Sequence, residues 1–333
     1  MNQTVNKQTS RIEWIDLAKG FCIILVVLYH VSKMLGVTYP LWVQLSAFRM
    51  PLYFILSGLF FKQYEGFVGF LKRKTNKLLI PFLFFLVISS VLPYAMLTHQ
   101  FSLPVLIEER EVVYNLPIWF LLCLFEINII FYLIQWGANS LCKNGRTAVV
   151  IVVSLALGLL GLFLGFSRIN LPLYLDTALS ALPFFAFGWW LNRKTNFLRI
   201  PSRRSDLWII AAGVAIVGFL AVPVSWLYNL FTLQGICFAY LCGVSGTIMI
   251  LLIAKFIKRL PLISFWGRYS IMVLCTHFPI ATAISLLLSR VLSGTPLLLS
   301  TLALTLCICH FLIPLLKKYL PYFTAQKDLI KTH

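Results

Sequence analysis

Ten apolar runs, each long enough to cross about 30 Å of hydrocarbon, leave this chain few ways to fold. They cover about residues 15–36, 43–61, 79–97, 117–136, 148–166, 175–191, 207–226, 232–254, 270–289 and 297–316. Lipid offers no hydrogen bonds to backbone N–H and C=O groups, so runs of this kind satisfy them internally as helices. The expected fold class is therefore an all-α integral membrane protein with about ten transmembrane helices. The 333 residues are 60% hydrophobic and 11% charged, with a mean hydropathy of +0.90, which excludes an ordinary soluble enzyme. Neither a soluble domain nor an internal repeat is evident, so 1–333 reads as one polytopic domain with short tails at about 1–11 and 320–333.

A net charge of +18 would suit nucleic acid, but its distribution points to topology instead. Assigning alternate loops to the cytoplasm collects Lys62, Lys72, Arg73, Lys74, Lys77, Lys143, Arg146, Arg193, Lys194, Arg199, Arg203, Arg204, Lys255, Lys258, Arg259 and Arg268 on one side, with both chain ends. The opposite loops keep Arg110 and Arg168, with Lys33 and Arg290 at their edges. The positive-inside rule then puts both termini in the cytoplasm of a multi-pass protein of the cell (inner or plasma) membrane, with membrane lipid and not nucleic acid as partner. The first apolar run lacks a small-residue cleavage site and is expected to stay as a helix. Of eight cysteines, seven sit in apolar runs, where Cys behaves as a small hydrophobe, and no disulfide framework is expected. Cys307, Cys309 and His310 superficially suggest a metal site, but positions two apart point to different sides of a helix, and no metal is expected.

Ionisable groups inside apolar runs are costly in lipid, and each is a functional-site hypothesis. The first run places Asp16, Lys19 and His30 at or within the hydrocarbon. Lys19 and His30, eleven residues apart, fall within about 20° of one helical face and roughly 16 Å apart along it. In the second run Arg49 precedes Pro51 and Ser57-Gly58; it either snorkels to the outer interface or pairs with a carboxylate, or else lines a polar cavity beside His30. Lys72, Arg73, Lys74 and Lys77 form a cluster that grips either a ligand's phosphates or anionic lipid heads. Trp119 reads as an interfacial aromatic, and Glu126, about seven residues deeper, needs a cation or a proton. His277 lies nine residues after Arg268 and is either hydrogen-bonded to a neighbouring helix or part of a site; His310 reads as structural. The outer loop at about 98–116, with Glu108, Glu109, Arg110 and Glu111, is either solvated or a lid.

Six stretches carry a resemblance: WIDLAKGFCIILVVLYH, FRMPLYFILSGLFFK, the basic run before LLIPF, PIWFL, LPFFAFGWWL and WGRYSIMVLCTHFPI. In this order they resemble the acyltransferase-3 membrane acyltransferases, and more closely the branch of fucose 4-O-acetylase-like and WecH-type sugar O-acetyltransferases. The resemblance implies transfer of an acyl group, usually acetyl, from cytoplasmic acyl-CoA to a hydroxyl of an envelope polysaccharide or lipid-linked sugar, with acetyl-CoA as donor and no metal. The family's first-helix motif, an Arg, ten residues and a His, is kept here as Lys19 and His30, with a point charge in place of a planar fork.

The chemistry suits those residues. A sugar hydroxyl attacking a thioester needs a general base, and imidazole with an unperturbed pKa of about 6.5 can serve. His30 is the expected base, with Lys19 and Asp16 completing the catalytic set and Lys19, Arg49 or Ser57 donating to the oxyanion. Lys72, Arg73, Lys74 and Ser57 are the expected acyl-CoA contacts, and Arg49, Trp119, Glu126 and His277 would bind or support the acceptor. Transient acylation of His30 is an alternative to direct transfer. A transporter or exporter of a sugar or lipid-linked glycan would show the same intramembrane groups, and a non-catalytic partner of a biosynthetic complex is a third reading.

Overall fold

A computed structural model describes residues 11–64, 66–93, 96, 115–141, 144–227, 229 and 233–331. The acidic loop with Glu108, Glu109, Arg110 and Glu111 lies outside the described residues, as do Lys143 and the extreme ends of both tails. In chain order the helices are α1 (Glu13–Leu35), α2 (Trp42–Ala47), α3 (Arg49–Leu59), α4 (Gly66–Val91), α5 (Trp119–Leu141), α6 (Arg146–Phe166), α7 (Leu175–Thr195), α8 (Asp206–Leu220), α9 (Leu233–Ile257), α10 (Pro261–Arg268), α11 (Ser270–Leu288) and α12 (Gly294–Tyr319).

Among the described residues, seven helices are long and apolar enough to cross a membrane. The other three apolar runs fold as well, but less simply. The second is broken into α2 and α3 at Phe48, just before Pro51, whose missing N–H leaves the Ala47 carbonyl without its helical donor. The sixth becomes α7. The seventh is only 15 residues long and turns extended at Ala221, two residues before Pro223, because the approach to a proline disfavours helix. Within α4, Pro81 removes another donor, and the helix widens into a π turn at Thr75–Leu79 immediately before it.

Helix α1 is the centre of the bundle, packed against α3, α9, α10, α11 and α12. Two glycine contacts set its surroundings. A Cβ on Gly267 of α10 would collide with the Asp16 carbonyl, and one on Gly58 of α3 with the Phe185 carbonyl of α7. Small residues thus let backbones touch where lipid supplies no hydrophobic drive, and Ser57 is aimed by the tight seat of Gly58.

The C-terminal segment, read from the sequence as a short tail, is docked against the bundle. The Asn76 side-chain carbonyl accepts the backbone N–H groups of Leu329 and Ile330, each at 2.9 Å, and its amide donates to the Ile330 carbonyl at 2.8 Å. Lys77 pairs with Asp328 at 3.0 Å. Both described chain ends therefore lie at the same end of the bundle, with Arg11, Lys62 and Lys77.

Candidate active site

Lys19, on the inward face of α1, lines a cavity of about 260 Å³. Tyr53 and Ser57 of α3, Lys74 of α4 and Ser270 of α11 supply its other polar groups, and Ile23, Leu78, Phe120, Leu124 and Leu274 its apolar walls. The Tyr53 hydroxyl donates to the Lys19 carbonyl at 3.3 Å and fastens α3 to α1. This volume is below the usual range of ligand pockets, about 300–1,000 Å³, so it suits a slender chain and not a bulky ring system. A larger cavity of about 940 Å³, open at the basic end, meets it at Lys19 and Phe60, which line both. Asp16 sits at the rim of the larger cavity, 7% exposed, with both carboxylate oxygens engaged by Arg11.

Beyond Ile23 and Leu274, two further turns of α1 and one of α11 bring His30 and His277 together, with ring centroids 5.4 Å apart. His277 is fully buried, and its Nδ1 lies 2.8 Å from the Val273 carbonyl. A carbonyl only accepts, so Nδ1 carries the proton and Nε2 keeps a lone pair. That Nε2 is buried without a hydrogen-bond partner. Pro279, inside α11, takes away the helical donor of the Cys275 carbonyl. Asn115 replaces it, donating from Nδ2 at 2.7 Å. The proline and its cap thus fix the turn that presents His277.

Arg49 joins the pair from α3. It is 8% exposed, its guanidinium lies 3.7 Å from the centre of the Tyr29 ring, and it is within electrostatic reach of His30. Its Nε is buried without a hydrogen-bond partner. Among the described residues no carboxylate lies within ion-pair distance of it. That guanidinium is offset in part by the π face and the hydroxyl of Tyr29, and it favours an oxygen-rich or anionic group nearby. The Cys22 thiol donates to the Arg49 carbonyl at 2.9 Å and holds the start of α3 against α1. On the far side of Tyr29, Trp42 stacks at 5.0 Å, and Tyr39 meets Trp42 at 5.0 Å. Tyr29, Trp42 and Tyr39 are all half-buried, so an aromatic ladder leads from the guanidinium toward the surface.

A family model described as an acyltransferase domain matches residues 12–313. The chain belongs to the acyltransferase-3 family. The match runs from the start of α1 almost to the end of α12 and stops short of the docked tail. Comparisons with curated proteins and with solved structures return no match. Family membership indicates acyltransferase activity, here in an integral membrane protein.

The structure divides the expected acyltransferase site into two groups. Lys19, Ser57 and Lys74 share the narrow cavity; His30, His277 and Arg49 gather about 16 Å further along α1, at 1.5 Å per residue. The remaining expectations fall elsewhere. Trp119 does not face outward from the bundle: it is 5% exposed and packs on Tyr174 and Phe120, because the short turn Leu116–Ile118 tucks the start of α5 inward. Glu126, half-buried on α5, lines neither cavity. Lys72 and Arg73 line neither cavity, since they occupy other faces of α4 than Lys74, and Arg73 lies over the Tyr64 ring at 4.5 Å. Cys309 is buried and Cys307 exposed, on different sides of α12. His310 packs on Phe265 at a tilt and edgewise on Phe311. Sequence reasoning missed Asn115, Tyr29, Trp42 and Tyr39. The Pro279 two residues after His277 signals an unpaired carbonyl, and an aromatic beside His30 was visible, but neither names its partner.

Proposed function

We propose that this membrane acyltransferase transfers an acetyl group from acetyl-CoA to a hydroxyl of a cell-envelope polysaccharide or lipid-linked sugar, as in the sugar O-acetyltransferase branch its motifs resemble. The donor arrives at the basic end, which with both termini is the cytoplasmic end, and threads its thioester arm past Lys19, Ser57 and Lys74 into the narrow cavity. The acceptor meets it from the opposite end, against Arg49 and the aromatic ladder. The observation that carries this reading is the His30–His277 pair lying between the cavity and that ladder.

On substrate binding the unpartnered Nε2 of His277 takes up an N–H from His30, as catalytic hydrogen bonds tighten in the reacting complex. The other ring nitrogen of His30 then faces the acceptor hydroxyl with a lone pair and takes its proton as the oxygen attacks the thioester carbon. Negative charge grows on the carbonyl oxygen, where the Arg49 guanidinium stabilises it. Collapse expels the thiolate toward Lys19, and the proton on His30 is available to neutralise it. Transfer is direct, with one tetrahedral intermediate and no acyl-enzyme. Asp16, occupied by Arg11, shapes the mouth of the donor path.

The test is incorporation of label from radioactive acetyl-CoA into the glycan fraction of membranes carrying the protein. His30→Ala is expected to abolish incorporation while the protein still inserts and purifies as a folded species. Wild-type incorporation by that variant would remove His30 as the base.

A further inference from the structure

The larger cavity carries a feature that the thioester chemistry does not use. Its lining holds Arg11, Lys19, Lys62 and Arg199 against the one carboxylate of Asp16, which Arg11 already satisfies. Lys62 and Arg199 are exposed, and neither makes an ion pair among the described residues. The wall that bears Arg199 is held from beneath by Lys255 of α9. This lysine is 7% exposed and spends its donors on the Phe197 and Ile200 carbonyls, at 2.6 and 3.1 Å, while its ammonium sits 3.8 Å from the centre of the Phe197 ring. A buried ammonium is costly. Here it fixes a short loop that turns at Asn196, in the left-handed region with φ 49°. The opposite wall is tied in by Asn192, whose amide donates to the Leu59 carbonyl at 3.0 Å. The result is a wide, cationic, braced chamber that narrows at Lys19 and Phe60 into a slender one with apolar walls.

That sequence of shapes matches a ligand with a bulky polyanionic head and a thin neutral arm. We propose that this vestibule seats the phosphate-bearing nucleotide of the donor, with Lys62 and Arg199 as its anion contacts, Lys19 at the throat and Lys255 as a positioning residue for the Arg199 loop. The inference rests on the acyl-CoA reading above, and it moves the phosphate contacts away from Lys72 and Arg73. Charge-assisted contacts to phosphate are directional and strong, and about 940 Å³ accommodates a nucleotide with its water.

The experiment is calorimetric titration of the detergent-purified protein with three probes: acetyl-CoA, adenosine 3′,5′-bisphosphate and S-acetylpantetheine. Lys62→Glu and Arg199→Glu are each expected to weaken acetyl-CoA and the bisphosphate at least about tenfold, which corresponds to about 1.4 kcal/mol. S-acetylpantetheine, which lacks the nucleotide, should bind all variants as it binds wild type. Lys255→Met should show the same split, whereas a merely structural loss would weaken all three probes alike. Tight acetyl-CoA binding that falls with Arg73→Glu and is indifferent to Arg199→Glu would overturn the assignment and leave the acyl-CoA reading standing. A folded wild type that binds no acetyl-CoA would overturn both. The phosphate chemistry is shared with lipid headgroups, so short-chain phosphatidylglycerol is titrated in parallel. Loss of its binding in Arg199→Glu, with acetyl-CoA affinity unchanged, would make the vestibule a lipid site and refute the proposal.

Discussion

Asn115→Ala isolates the cap that presents His277. The amide of Asn115 donates to the Cys275 carbonyl at 2.7 Å and to the Ser89 hydroxyl at 2.9 Å, and Asn115 is fully buried. Each such bond is worth about 0.5–1.5 kcal/mol net, and an orphaned buried carbonyl costs about 1–3 kcal/mol. Hydrogen bonds measured inside membranes average nearer 0.6 kcal/mol, so the expected destabilisation is about 2 kcal/mol. The informative comparison is a double-mutant cycle with Pro279→Ala, which restores an N–H at position 279 for the Cys275 carbonyl. If the asparagine stands in for the missing helical donor, the double variant should be less destabilised than the sum of the two singles, with a coupling of about 1 kcal/mol or more. Thermal unfolding in detergent followed by tryptophan fluorescence reads the stability. Label transfer from acetyl-CoA should fall in Asn115→Ala and recover in part in the double variant. Strict additivity of the two substitutions would refute the capping argument.

Three further expectations follow from named contacts. Arg49→Lys keeps the charge but loses the planar stack on Tyr29 and should lower label transfer at least about tenfold, with folding intact by thermal melt. Gly58→Ala forces a methyl into the Phe185 carbonyl; separating α3 from α7 should cost about 1–3 kcal/mol, seen as an earlier melt, and a wild-type melting temperature would contradict the packing. Asn76→Ala should release the C-terminal segment, because three hydrogen bonds converge on that one side chain. Limited proteolysis at residues 325–331 reads it out, and unchanged protection would count against the strap.

What could be read before the structure divides along the reach of local physics. The helices were legible because apolar length alone fixes them, and the Lys19 and His30 spacing was legible because both lie on α1. The breaks at Pro51 and Pro223 were readable in principle, yet hydropathy windows average over them and return one long run. Partners on other helices were not legible at all. Nothing local couples His30 to His277, 247 residues later, or Pro279 to Asn115. Charge runs do not resolve faces for a related reason: Lys72, Arg73 and Lys74 are adjacent in sequence, but successive residues on a helix point about 100° apart, and of the three only Lys74 faces the cavity. The vestibule draws on Arg11, Lys62 and Arg199 from three separate segments, and Lys62 and Arg199 each looked like a topology charge when read alone. Trp119 looked interfacial because the turn that buries it is a tertiary feature.

The most direct test of the two-ended arrangement is sided transfer in sealed proteoliposomes. Protein of one orientation, established by protease access to an epitope tag added at the N-terminus, is given radioactive acetyl-CoA on one side and an envelope-glycan fraction on the other. Label should reach the glycan only when acetyl-CoA is on the side of the chain termini, and His30→Ala should abolish it. Equal transfer with acetyl-CoA on the opposite side, or transfer only when donor and acceptor share a side, would contradict the passage of the acyl group from Lys19 to the His30–His277 pair.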